Sequence, residues 1–165
     1  MRDTINFLLA GVGGQGTILA SDPSDQCNSC HSTTPYRTTR DPLYPRSGLP
    51  AGRMIEDYLR QVIRRSNWAM LDIRIEHYAA FKEIYGFVAA DDLSRFTAML
   101  MTEVVDELGT INDFIGHASE ENFLLITTEA AAAEIQERLK ARFDNEVLTH
   151  YSFMDRERGY MLGPE

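Results

Sequence analysis

Apolar residues recur at helical spacing at Met54, Ile55, Tyr58, Leu59, Val62 and Ile63, with charged residues between them, which predicts an amphipathic helix over 51–65. The short apolar run 68–75, bounded by polar residues, predicts a buried strand. Residues 76–84 read as a short helix stopped at Gly86. A longer helix is marked by Leu93, Phe96, Leu100, Met101, Val104, Val105 and Leu108, with Gly109 placed to end it and Met99 at its rim. Runs at 114–118 and 123–128 flank the polar turn Ser119-Glu120-Glu121-Asn122, the pattern of a β-hairpin. Ile135, Leu139 and Phe143 put a stripe on an Ala-rich helix over 130–143, and 147–153 reads as a last strand. This order of elements predicts an α+β domain over 51–165 with helices covering a largely antiparallel sheet.

Upstream the pattern changes twice. Residues 1–20 are apolar and Gly-rich, with a strand expected over 5–10 running into Gly11-Val12-Gly13-Gly14-Gln15-Gly16. That turn fits G-x-G-x-x-G, but a dinucleotide-binding βαβ unit needs about 30 residues, and Asp22-Pro23 cuts this one short. The wording is similar to the start of an indolepyruvate oxidoreductase β subunit, and the stretch reads as a vestigial piece. Residues 21–50 hold five of the six prolines and both cysteines without an apolar period, so they read as a linker. Within it, Cys27-Asn28-Ser29-Cys30-His31 matches C-x-x-C-H. Haem would need an apolar pocket and structural zinc a fourth ligand; a solvated, reduced thiol pair is expected, with zinc or haem as the alternatives.

Charge narrows the partners. Twenty-five acids against sixteen bases give a net charge of −9, which disfavours nucleic acid and anionic membranes. No apolar run approaches the roughly 18 residues that span a bilayer, so a soluble, cytoplasmic protein is expected. Arg60, Arg64 and Arg65 read as a solvated helix face, and His77, His117 and His150 as isolated histidines, the last two within strands.

The central segment Met70-Leu71-Asp72-Ile73-Arg74-Ile75-Glu76-His77-Tyr78, followed by Tyr85-Gly86-Phe87 and Ala90-Asp91, resembles the first strand and helices of a GGDEF domain, the catalytic domain of diguanylate cyclases. Asp113 to Phe123 falls where that family has its signature hairpin, and Asp41-Pro42-Leu43 with Gly48-Leu49-Pro50 resembles its lead-in motif. The resemblance implies a palm-like, nucleotide-cyclase-like sheet and a reaction that condenses two GTP into cyclic di-GMP using Mg²⁺. It also implies site residues, and this chain departs from most of them. Arg74 stands at the first metal carboxylate, where a fixed cation repels Mg²⁺. Ser119 and Glu120 stand at the two glycines; Glu121 keeps the central acid, Asn122 replaces the next one, and Phe123 closes the signature. At the guanine site Lys82 replaces an Asn while Asp91 is kept; at the inhibitory site Thr110 replaces an Arg while Asp113 is kept.

The expectation is therefore a degenerate GGDEF-like domain without catalytic residues. Arg74 would pair with Glu121 in place of a metal, with Glu120 as a second candidate, or else point to solvent. No cofactor is expected, Mg²⁺ belonging only to a cyclase reading. The expected role is a signalling or regulatory module acting through a protein partner or a homodimer; the alternatives are a diguanylate cyclase and a GTP-sensing domain without turnover.

Overall fold

The computed structural model describes residues 2–3, 7–12 and 47–162, the first two stretches as backbone. The remainder of the Gly-rich turn, the linker to residue 46 and its Cys27-Cys30-His31 cluster lie outside the described residues.

The chain is α+β. Strand β1 is Arg2–Asp3 and β2 is Phe7–Val12; helix α1 is Arg53–Val62; β3 is Ala69–Ile75. Helix α2 is Tyr78–Leu108, β4 is Phe114–His117, β5 is Asn122–Thr127 and α3 is Glu129–Glu146; a 3-10 turn at Val147–His150 leads to α4, Phe153–Arg158, and β6, Met161–Leu162. The main sheet has the order β2-β3-β5-β4 with every pair antiparallel, and β1 pairs separately with β6.

Alternation along β3 explains the layering. Leu71, Ile73 and Ile75 are buried on one face with Phe123 and Leu125 of β5, against Phe81, Leu93, Leu100 and Met101 of α2 and Ile135, Leu139 and Phe143 of α3. The opposite face is only partly covered: Met70, Leu124 and Ile126 meet Ile55 and Val62 of α1 together with Trp68. This accounts for β5 being buried from Phe123 to Thr127 while β3 alternates. Met101 is in the core and Met99 is exposed, as their helical spacing predicts.

Three sequence readings need correction. The short and long helices after β3 run together, because only Gly86 leaves helical geometry (φ 86°) and residues 87–92, read as a gap, are helical. A residue without Cβ takes that left-handed backbone without steric cost, so the chain bends there and resumes. The strand expected over 147–153 is instead the 3-10 turn and the start of α4, whose cap is the Ser152 hydroxyl accepting from the Asp155 amide at 3.2 Å. His150 accordingly sits in a turn against Phe96, with ring centroids 4.8 Å apart.

Gly109 ends α2 in extended backbone, and its requirement is one of space. A Cβ there would lie 2.7 Å from the Val105 carbonyl oxygen and against the Asp113 carboxylate. Gly109→Ala is expected to destabilise the fold by about 1–3 kcal/mol through overpacking, read as a lower denaturant midpoint at unchanged m-value.

Candidate functional site

The turn between β4 and β5 is positioned by backbone first. The β3–β5 register runs from Ala69 opposite Thr127 to Arg74 opposite Asn122, and the Ile75 amide then donates to the Glu121 carbonyl at 2.9 Å. The end of β3 and the hairpin turn are thereby fixed side by side. Within the turn, the amides of Ala118 and Ser119 both donate to the Asn122 carbonyl, at 2.9 and 3.2 Å.

Side chains then tie the turn down from two directions. The Arg74 guanidinium is 3.1 Å from a Glu121 carboxylate oxygen, and the Lys82 ammonium on α2 is 2.8 Å from Glu120. Sequence reasoning offered Glu120 as a second partner for Arg74; the structure gives it to Lys82 instead, because the first turns of α2 pass beneath the hairpin. The hydrogen bond that Lys82 donates to Glu120 holds the ammonium above its usual pKa. Among the described residues no group of three His, Cys, Asp or Glu side chains gathers as a metal ion would require.

Below these exposed charges is a buried contact that the motif comparison did not show. Ser94 of α2 is 4% exposed; its hydroxyl donates to the Glu120 carbonyl at 2.8 Å and lies 3.1 Å from the Tyr78 hydroxyl. Tyr78 in turn donates to the carbonyl of Ala90 at 3.1 Å, and burial pushes its phenol above the usual range. The one-turn spacing from Ala90 to Ser94 was the available signal. Tyr78, Ala79 and Lys82 form one wall of a pocket of about 430 Å³ whose other wall is Ser119, Glu120 and Glu121. Asp91, on the same stretch of α2, is close enough to act electrostatically on both Tyr78 and Lys82.

Thr110 and Asp113 are brought together, but as a turn. One Asp113 oxygen accepts from the Thr110 amide (3.0 Å) and the Thr127 hydroxyl (2.8 Å), the other from the Thr110 hydroxyl (2.7 Å). His77 precedes α2 in left-handed backbone (φ 59°) without capping it through its side chain. His117 is fully buried, stacked on Phe123 at 4.1 Å, with Nδ1 2.8 Å from the Ser47 hydroxyl. Its amide donates to the Pro50 carbonyl at 2.8 Å, so the lead-in segment lies along the outer edge of β4.

No family profile and no curated protein matches the chain. Solved structures do. The diguanylate cyclase SiaD of Pseudomonas aeruginosa, solved with its activator SiaC, is 21% identical with a TM-score of 0.52 over 59% of this chain and 39% of that one. The GGDEF domain of DgcB from Caulobacter crescentus, solved with c-di-GMP, is 16% identical with a TM-score of 0.52, covering 59% of each chain. A form of YfiN (TpbB) from Pseudomonas aeruginosa comprising only its GGDEF domain gives 18%, 0.50 and the same coverage. The match thus spans less than two thirds of each of these chains. The fold is of the GGDEF type, resting on a shared arrangement of helices and strands.

Two consequences are measurable. Ser94→Ala removes the side-chain donor from the partly buried Glu120 carbonyl and is expected to cost about 0.5–1.5 kcal/mol, checked by chemical denaturation. Burial lowers the pKa of His117 from 6.5 to about 4, against smaller raising contributions from hydrogen bonds with the backbone of Glu120 and Ser119. Between those two values the unfolded chain binds the proton and the folded one does not, so stability rises with pH across that interval. The contribution is complete above pH 6.5 and is lost as pH falls toward 4, on the order of 3 kcal/mol in all. Unfolding free energies at pH 7.5 and 4.5 are expected to differ less in His117→Gln than in the parent chain.

Proposed function

We propose that this chain is a non-catalytic signalling or regulatory module of the GGDEF type that acts through protein contacts. The observation that carries the reading is the pairing of Arg74 with Glu121 at 3.1 Å at the end of β3. The strength of that pair is not the argument: the Arg74 side chain is 58% exposed, and such pairs contribute about 0–1 kcal/mol. Sign is the argument. A guanidinium is charged at every working pH and donates only, so a divalent cation beside Glu121 would meet a neighbouring positive charge where it needs a second carboxylate. These residues do not fit Mg²⁺.

Glu120 works in the same direction. Its carboxylate borders the 430 Å³ pocket, and a triphosphate there would have to displace Lys82 from Glu120 before gaining any attraction of its own. With the nucleotide chemistry removed, the hairpin and its two ion pairs, Arg74 with Glu121 and Lys82 with Glu120, become a surface that a protein can read. SiaD, a neighbour in fold, is solved with a protein activator, which supports this mode of action for the fold.

A second reading, GTP sensing without turnover, is favoured by the pocket and by Asp91 lying near Lys82 and Tyr78. Calorimetry separates the readings. GTP and Mg²⁺ titrated into the full chain are expected to give no micromolar binding heat and no cyclic di-GMP. Binding without product would establish the sensor instead. Product that disappears in Glu121→Gln would establish the cyclase and refute the proposal.

A further inference from the structure

Strand β2 occupies a slot built from two different elements. Its register sets residues 7, 9 and 11 opposite Ile75, Ile73 and Leu71, and residues 8, 10 and 12 opposite Arg74, Asp72 and Met70. The first set belongs to the face covered by α3, which contacts both β2 and β3; there Ile73 and Ile75 are fully buried in one core with Ile135 and Leu139. The slot is thus an apolar groove along the edge of a strand, walled on one side by a helix. Such a groove takes an extended chain, with main-chain hydrogen bonds supplying affinity and alternate side chains supplying specificity.

The resident strand answers only half of what β3 presents. Phe7-Leu8-Leu9-Ala10-Gly11-Val12 is uncharged throughout, which suits the face toward α3. On the opposite face Asp72 and Arg74 are exposed, and the strands on either side set uncharged residues against them: Ala10 and Leu124 flank Asp72, and Leu8 and Asn122 flank Arg74. Asp72 makes no hydrogen bond or ion pair among the described residues, Arg74 being the charge that acts on it. Arg74 reaches Glu121 through Nη2 alone, so the rest of its fork is unused there. Opposite charges directly across an antiparallel pair are favourable, and β2 supplies neither of the two that β3 would accept. This difference matters because a foreign strand must displace a tethered one, whose effective concentration is on the order of millimolar. Cross-strand pairs that β2 lacks are the means to do so, and β3 specifies them: an acid opposite Arg74 and a base opposite Asp72.

We propose that the edge of β3 is a docking site for an extended segment of a partner protein, reading apolar, acidic, apolar, basic, apolar antiparallel to residues 75–71, with β2 as the resident strand that this segment replaces. The inference extends the protein-contact reading of the chain without resting on the pocket at the 119–121 turn. GTP binding at that turn would leave the β3 edge as it is, and failure at the edge would leave the reading of the turn unchanged.

Two fluorescein-labelled peptides with the sequence of residues 4–14 test this by anisotropy against the full chain: a matched one carrying Leu8→Glu and Ala10→Lys, and a reversed one carrying Leu8→Lys and Ala10→Glu. They share composition and net charge, so general attraction to a chain of net charge −9 cancels between them. In the chain, Leu9→Asp sets a carboxylate opposite the buried Ile73 and frees the slot. The matched peptide is expected to bind that variant at least tenfold more tightly than it binds the parent chain, and at least threefold more tightly than the reversed peptide does. Equal binding of the two peptides, or binding as tight to the parent as to the variant, would overturn the proposal. So would no binding to a variant that keeps the parent's far-UV circular dichroism. If Leu9→Asp does not fold, the same charges are tested in place. Leu8→Glu with Ala10→Lys in the full chain is expected to slow amide exchange over residues 70–75 at least threefold relative to Leu8→Lys with Ala10→Glu, and equal exchange would overturn the charge pattern assigned to the partner.

Discussion

The antiparallel ladder between β3 and β5 is the constraint on which the rest depends. It brings the end of β3 opposite the start of β5, and the Ile75 amide carries the ladder one step further into the turn at Glu121. The meeting of Arg74 with the hairpin turn at the pocket is set by that register. A slip of one position would send Arg74 into the core with α2 and α3 and bring Ile73 out to the charged side. The two-sided burial of β5 makes such a slip costly, since Phe123 and Leu125 face one core and Leu124 and Ile126 the other.

Onto this frame the chain places two kinds of interaction of very different weight. The ion pairs at the turn are exposed and weak, yet they set the sign of charge that a ligand meets. The bond from Ser94 to the Glu120 carbonyl is partly buried and neutral, and it anchors the hairpin to α2. The turn is therefore held rigid from below and neutralised from above. On the far side of the same hairpin, Asp113 is enclosed by Thr110 and Thr127, so its charge organises the chain.

Much of this was legible in the sequence. Period and punctuation located α1, β3, the hairpin and α3, and the resemblance to the GGDEF sheet, which makes β3 and β5 neighbours, offered the meeting of Arg74 with Glu121 as one of two alternatives. Local composition misled at 147–153, where Val, Leu, Thr, His and Tyr favour a strand but Ser152 and Asp155 cap a helix. Residues 87–92 were lost because Gly86 reads as a stop, while the chain resumes its helix after one aberrant residue. The Lys82–Glu120 pair, the Ser94 anchor and the burial of His117 beneath Ser47 depend on how α2 and the lead-in segment cross the hairpin. No sequence period encodes such crossings.

The N-terminal strand carries a kinetic implication. Its register joins residue 7 to residue 75, whereas the hairpin joins residue 117 to residue 123. Closing the larger loop adds little to the equilibrium cost, because chain entropy grows only logarithmically with length, but it lowers the frequency of productive encounter. The hairpin is thus suited to form early as a local template, with β2 joining late. The same order run backwards makes that edge strand the first part of the main sheet to fray.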